Sequence, residues 1–286
     1  MKYINLSPGF NPYGAKDEDI IKFESSTFPG GEPHIRILDI DKQTEAQEIT
    51  ITHRLNSFND LGLLMLARDT CWGQSYNEIH LFIPYMPGAR QDRVCNPGEA
   101  FTLEVYAELI NNMGFESVTV FDAHSDETGN NVSDSILLEN HEFVDAAIVD
   151  INPSLGYYLV APDKGASKKI KELADYIGHH KIAQGEKVRD LETTKLTGFA
   201  VDAPDFCGMD CVIVDDICDG GGTFIGLAKE LKKKNAGDIY LIVSHGIFSK
   251  GTEILSDYIT RIYTTDSIKE RGESVDLKQI KLCIEK

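Results

Sequence analysis

Three carboxylates and three glycines meet in Val214-Asp215-Asp216-Ile217-Cys218-Asp219-Gly220-Gly221-Gly222-Thr223. A glycine triplet lets backbone N–H groups turn toward a bound anion without side-chain obstruction. The amino end of the helix expected from Phe224 adds partial positive charge. Thr223 can cap that helix or donate to a phosphate oxygen. Asp215 and Asp216 stand where carboxylates accept hydrogen bonds from vicinal sugar hydroxyls. The set describes a sugar held by acids and a phosphate held by the loop Asp219, Gly220, Gly221, Gly222 and Thr223. A lone glycine triplet would read as an empty strand-to-helix turn, but the adjacent acids favour a ligand. No Gly-Lys-Ser/Thr follows, so this is not a Walker loop.

A second polar run, Ala89-Arg90-Gln91-Asp92-Arg93, follows an apolar stretch. Two guanidinium forks around Gln-Asp suit phosphate oxygens and a nucleotide, and they suit a salt-bridged surface turn equally well. Gln184-Gly185-Glu186-Lys187-Val188-Arg189-Asp190 reads by itself as a charged, solvated loop. His124, in Phe121-Asp122-Ala123-His124-Ser125-Asp126, ends another apolar run.

The elements that would carry these residues alternate. Strands are expected at 79–83, 118–121, 157–160, 211–214 and 239–243. Amphipathic helices are expected at 100–113, 166–177 and 224–231, and Ala146–Val149 is ambiguous between the two. Strand–helix–strand order implies parallel sheets with crossover helices, whose ligands gather beyond the carboxyl ends of the strands. The 286 residues, 42% hydrophobic, suit two α/β domains, placed at 1–145 and 146–286.

A net charge of −18 argues against nucleic acid, which needs a basic face. It also means that any polyanion site must concentrate positive charge locally. No apolar run is long enough for a membrane span, and no signal-peptide core opens the chain, so a cytoplasmic location is expected. The six scattered cysteines suit free thiols rather than a disulfide framework.

The loop at 214–223 resembles the phosphoribosyl-diphosphate loop of phosphoribosyltransferases and of ribose-phosphate pyrophosphokinases. Ala89–Arg93 resembles the ATP-binding Ala-Arg-Gln-Asp-Arg signature of the pyrophosphokinases, which the transferases lack. Phe28-Pro29-Gly30-Gly31-Glu32 resembles their Phe-x-Asp-Gly-Glu loop, with Gly30 in place of the usual Asp or Asn. Phe121–Asp126 is similar to their Asp-Leu-His-Ala-Asp element, and Ala161-Pro162-Asp163-Lys164-Gly165 to their Pro-Asp-x-Gly-Gly. Thr265–Ile268 and Ile280–Leu282 resemble late segments of the family, whose members continue into a final helix beyond the point where this sequence stops.

The resemblance implies an α/β chain of two phosphoribosyltransferase-like domains, each a mainly parallel sheet flanked by helices. It implies Mg²⁺-dependent transfer of the diphosphate of ATP to the anomeric hydroxyl of ribose 5-phosphate. ATP would be bound by Phe28, Glu32, Arg90, Gln91, Asp92, Arg93 and His124. The metal would lie at His124 and Asp163. Lys187 and Arg189, on the family's catalytic flexible loop, would act with His124 in catalysis. The phenylalanine reaches adenine across a subunit boundary in the family, so a homo-oligomer is expected.

Three other readings stand beside this one. A phosphoribosyltransferase would share the glycine loop, but Arg90–Arg93 argues against it. A non-catalytic regulatory subunit is opposed by His124, Asp163, Lys187 and Arg189. The third keeps the chemistry and changes the acceptor. Gly220 stands where the family commonly has Thr, which leaves room for a substituted 5-phosphate such as that of ADP-ribose.

Overall fold

The computed structural model of the chain describes residues 1–38, 48–74, 76–189, 196–203, 205–272, 274 and 276–284; the side chains of Arg189, Leu196 and Thr197 lie outside that description. Two compact units emerge. One comprises Met1–Glu139 with Ser267–Glu270 and Lys281–Lys286, and the other Asn140–Asp266 with Arg271–Ile280.

Among the described residues, the first unit carries β1 (Lys2–Asn5), β2 (Phe23–Thr27), β3 (Pro33–Ile37), β4 (Glu48–Thr52), α1 (Phe58–Gly73), β5 (Glu78–Ile83), α2 (Thr102–Asn111), β6 (Ser117–Phe121), α3 (Glu127–Asn131) and β7 (Ser135–Leu138). Its sheet runs β1-β4-β5-β6-β7, all parallel. Both faces of the central strands are covered: Ile51, Leu81 and Val118 are buried on one, and Thr52, Phe82 and Thr119 on the other. Helix α1 begins where the Ser57 side chain accepts from the Asp60 amide, while Asp60 Oδ2 accepts from Asn56 N at 3.0 Å. This reciprocal cap satisfies two amides at the helix start. Helix α2 buries Leu103, Ala107 and Ile110 along one stripe and stops before Gly114, at φ 65°.

The second unit carries α4 (His141–Ile151), β8 (Tyr157–Ala161), α5 (Ser167–Ile177), β9 (Ile182–Arg189), β10 (Leu196–Asp202), β11 (Asp210–Cys218), α6 (Gly222–Lys233), β12 (Ile239–Gly246), β13 (Arg261–Thr265) and β14 (Leu277–Ile280). Its sheet order is β10-β9-β8-β11-β12-β13-β14, parallel except for the β9–β10 hairpin. Both units are thus α/β, with mainly parallel sheets flanked by helices.

One ambiguity is resolved and three local readings are corrected. Ala146–Val149 lies within helix α4. Asp215 and Asp216 belong to strand β11 rather than to a turn, because pairing with β12 continues through Cys218 opposite Gly246. Helix α6 starts at Gly222, so Thr223 sits inside its first turn and Gly221 is the cap. Residues 184–189 form strand β9 rather than a loop, with Lys187 opposite Phe199.

Candidate functional site

In the first unit, the arginine motif leaves the carboxyl end of β5 as a tight turn. Ala89 N donates to Met86 O at 3.3 Å and Gln91 N to Gly88 O at 2.8 Å, and Leu103 N at the start of α2 donates to Gln91 O at 3.3 Å. Met86 and Ala89 are buried and anchor the turn. Gly88 has φ 76°, and a Cβ there would stand 3.0 Å from the Leu103 amide nitrogen, so both its backbone and its surroundings require glycine. Arg90, Gln91 and Arg93 are exposed and Asp92 is half-buried. Arg93 Nε lies 3.8 Å from Asp92 Oδ1 with most of its side chain in solvent, a weak pair that leaves the guanidinium available to an anion.

The neighbouring strand β6 delivers His124 to the same end of the sheet, where it is exposed. Asp122, 2% exposed, takes a left-handed φ of 43° there, and its amide donates to Leu138 O at 2.7 Å. A non-glycine residue held in that region is backbone strain at a strand end that carries a site candidate.

Phe28 and Glu32 lie on the turn of the β2–β3 hairpin. Phe28 N donates to Glu32 O at 2.9 Å and Gly31 N to Phe28 O at 2.8 Å. Phe28 is 53% exposed and meets His34 edge-on. A large aromatic at a solvent-facing tip is free to receive a planar ring, unlike a core aromatic. A Cβ at Gly30 would meet the folded-back carboxylate of Glu32 at 2.6 Å.

Sequence reasoning overlooked the end of β4. His53 is buried; its Nδ1 lies 2.8 Å from Ser7 Oγ, and Ser7 Oγ accepts from Arg54 N at 2.9 Å. Burial pushes the His53 pKa down to about 4, so the imidazole is neutral. The Arg54 guanidinium lies 4.3 Å over the Phe10 ring. Histidine and arginine after a β-branched run were the available signal. At the opposite end of β4 and β5, Glu48, Glu78 and His80 bring their ligand atoms within 4.8 Å of one another.

In the second unit, Asp163 follows β8 and caps a short 3₁₀ turn. Its Oδ1 accepts from Gly165 N at 3.0 Å and Ala166 N at 3.3 Å, and its Oδ2 from Lys187 Nζ at 2.7 Å. Burial pushes its carboxyl up, but the Lys187 ammonium and the two amides outweigh burial and hold it below the usual range. Gly185 makes this meeting possible. A Cβ there would come within 2.7 Å of Pro162 O and 3.0 Å of Ala161 O, so only glycine lets β9 lie so close to the turn. Lys164 pairs with Glu186 at 2.9 Å in a more exposed position. Arg189 ends β9 with its side chain outside the described residues, as is all of Asp190.

Strand β11 lies beside β8 and brings Asp215 and Asp216 to the same end. Burial, then the charge of Asp216, raises the Asp215 pKa well above the usual carboxylate range, and the charge of Asp163 adds to the shift. A small pocket between α5 and β11 is lined by Ala166, Lys169, Ile170, Val214, Asp215 and Asp216. Beyond Cys218, Gly221 turns the chain at φ 72°, and Gly222 opens α6 with nothing within 4 Å of an added Cβ. Acids at the base, a glycine turn and a helix amino end form a compact frame for a polyhydroxyl phosphate. The structure therefore gathers Asp163, Lys187, Asp215 and Asp216 in the second unit, and places the arginine turn and His124 on adjacent strand ends in the first.

The phosphoribosyl transferase domain profile matches residues 156–279. Ribose-phosphate pyrophosphokinase of Pyrococcus abyssi is 30% identical over 261 residues, covering 91% of this chain and 88% of its own. A putative ribose-phosphate pyrophosphokinase 2 of Streptococcus mutans is 28% identical over 260 residues, 88% of this chain and 77% of its own. The crystal structure of phosphoribosylpyrophosphate synthetase from Mycobacterium smegmatis has the same fold, with a TM-score of 0.79 at 20% identity over 98% of this chain and 94% of that one. A transferase-type phosphate frame in one unit, an arginine turn in the other and likeness across both give one conclusion: the chain belongs to the ribose-phosphate pyrophosphokinase family.

Proposed function

We propose that the protein transfers the β,γ-diphosphate of ATP to the anomeric 1-hydroxyl of ribose 5-phosphate, yielding phosphoribosyl diphosphate and AMP. The observation that carries this reading is the reach of the similarity. It spans 91% of the chain, through the arginine turn of the first unit as well as the phosphate loop of the second. A phosphoribosyltransferase would need only the loop.

In the reaction, the acceptor hydroxyl oxygen attacks the β-phosphorus in line. The new P–O bond forms as the bond from the β-phosphorus to the α,β-bridging oxygen breaks, AMP departs with that electron pair, and the hydroxyl proton passes to solvent. Asp215 and Asp216 accept hydrogen bonds from the sugar hydroxyls, and the loop from Asp219 to Thr223 holds the 5-phosphate. Orientation then supplies much of the rate. Lys187 and Arg189 stabilise the charge spreading over the transferring phosphoryl oxygens. Glu32, Arg90, Gln91, Asp92 and Arg93 hold the nucleotide and Phe28 stacks on the adenine ring, which implies an assembly of at least two copies.

Mg²⁺ fits this residue set. A carboxylate has about four acceptor positions, so Asp163 retains oxygen capacity beside Lys187 and the two amides. The exposed nitrogen donor His124 suits a water or phosphate oxygen better than a hard cation. When bound, the ion neutralises triphosphate charge. The test is AMP release from ATP with Mg²⁺ across a panel of ribose phosphates; production of AMP only in the presence of an acceptor supports the reading.

A second acceptor, ADP-ribose, is favoured by one observation. A Cβ at Gly220 would meet the flexible Lys250 side chain at ordinary contact distances, 3.6 Å from Cε, 3.7 Å from Cδ and 4.0 Å from Nζ, so a movable side chain rather than backbone borders the space where a threonine would stand. Comparing kcat/KM for the two acceptors decides between them. A preference for ADP-ribose that Gly220→Thr suppresses selectively would replace ribose 5-phosphate as the acceptor.

A further inference from the structure

The turn after β12 is fastened to the phosphate loop. The amides of Ile247 and Phe248 donate to Cys218 O at 2.9 and 3.0 Å, and Ser249 N donates to Asp219 O at 3.2 Å. The turn closes through Gly251 N to Phe248 O at 3.0 Å, with Phe248 at φ 46°. Arg271 clamps it from β14's side of the sheet. The guanidinium donates to Gly246 O at 3.1 Å and Ile247 O at 2.7 Å and lies 5.0 Å over the Phe248 ring. The Arg271 backbone is held in turn by Gln279, whose Oε1 accepts from Arg271 N at 2.7 Å.

This turn carries Lys250 over the loop. A Cβ on Gly220 would stand 3.6 Å from Lys250 Cε, 3.7 Å from Cδ and 4.0 Å from Nζ. Lys250 is exposed, and the loop from Asp219 to Thr223 contains no cationic side chain of its own. Asp216 and Asp219 make the neighbourhood anionic. A formal positive charge beside the loop would add to the partial charge of the helix end in holding a phosphate dianion there.

We propose that Lys250 is that charge: it binds the acceptor's phosphate across Gly220, in place of a side chain within the loop, and Arg271 is the positioning residue that holds its turn. An ammonium on a flexible stem makes charge-assisted hydrogen bonds from three rotatable donors, so it follows a phosphate as the loop settles around it. The assignment rests on the acceptor reading above for the identity of the ligand. Its geometry stands independently of that reading.

The experiment has a kinetic and a binding arm. Lys250→Ala raises KM for ribose 5-phosphate about ten- to hundred-fold, the range for loss of a charged hydrogen bond, and leaves KM for ATP nearly unchanged. Lys250→Arg restores most of the acceptor KM, and adding Gly220→Thr to Lys250→Ala returns part of it by placing a hydroxyl in the loop. Arg271→Met raises the acceptor KM in wild type and adds little in Lys250→Ala, because the two act as a unit. An unchanged acceptor KM in Lys250→Ala overturns the assignment. If no ribose phosphate supports turnover at all, the acceptor reading has failed, and calorimetric titration with inorganic phosphate decides the residue's role separately. Weaker phosphate binding by Lys250→Ala upholds the site, and equal binding overturns it.

Discussion

Lys187 Nζ lies 2.7 Å from Asp163 Oδ2, joining strand β9 to the turn after β8 by an ion pair in which each side chain keeps about a third of its exposure. The amine is thus stored against a carboxylate, and a bound phosphate and a metal ion would compete for the two partners separately. Turnover should stop in excess chelator and return with Mg²⁺, and Asp163→Ala should lower activity by about 10²-fold or more. AMP release with and without chelator is the measurement; full turnover in its presence would remove the metal from the mechanism.

Lys187→Ala and Arg189→Ala should each lower kcat by about 10²-fold while changing KM for ATP far less, because charge that meets the transferring group acts mainly in the transition state. Steady-state kinetics of both variants tests this. Near-wild-type kcat in both would reduce β9 to a structural ribbon.

The Lys187–Asp163 pair also has a pH signature. The folded-state pKa of Asp163 is depressed, so its stabilising contribution is present above the ordinary carboxylate pKa and fades as pH falls through the lower, folded value. Lys187→Met should therefore lower Tm at pH 7, and the difference from wild type should shrink below about pH 4. Thermal melts across that range check the sign. A Tm difference that is constant with pH would mean the pair does not contribute through charge.

Asp215 has the opposite sign. Its pKa is raised by burial and by Asp216, so ionising it costs stability as pH rises through the folded value. Asp215→Asn should raise Tm at pH 7 to 8 and lose that gain in acid, while weakening acceptor binding about ten-fold or more by removing a charged hydrogen-bond acceptor. A lower Tm at neutral pH would contradict the electrostatic account.

Phe28, 53% exposed at a hairpin tip, contributes little burial to its own unit. Phe28→Ala should leave Tm within about a degree or two, as surface substitutions usually do, while raising KM for ATP several-fold. The active protein should scatter light as at least a dimer. A fully active monomer would remove the shared adenine contact.

The alternation of elements was legible because apolar strands and striped helices have different periods, as in Ile79–Ile83 against Leu103, Ala107 and Ile110. The glycine loop was legible because acids and glycines at a strand end have few other uses. Strand β11 was read too short because Asp215 and Asp216 interrupt its apolar run, although the backbone ladder to β12 is indifferent to side-chain charge. Strand β9 reads as a loop because an outer hairpin, paired with β10 near the sheet edge, tolerates charged residues such as Glu186, Lys187 and Arg189. Lys250 and Arg271 carry no signal, since their meaning depends on hydrogen bonds between segments distant along the chain, such as Arg271 to Ile247, 24 residues apart, and Ser249 to Asp219. The pairing of Asp163 with Lys187 was likewise invisible, since it depends on how closely Gly185 lets two segments approach.

Gly185 has a further consequence, for alignment along the ribbon. Strand side chains alternate, so a one-residue slip of β9 would exchange Lys187 for Glu186 or Val188 opposite Asp163. The first exchange sets carboxylate against carboxylate, and the second removes the counter-charge. Either slip would also drive a side chain, Gln184 or Glu186, into the space where only glycine clears Pro162 O and Ala161 O. Steric fit and charge thus reject the same misalignments, so the hairpin is keyed to one address. An insertion or deletion of a single residue between Gly185 and Lys187 should abolish turnover even where the sheet still forms.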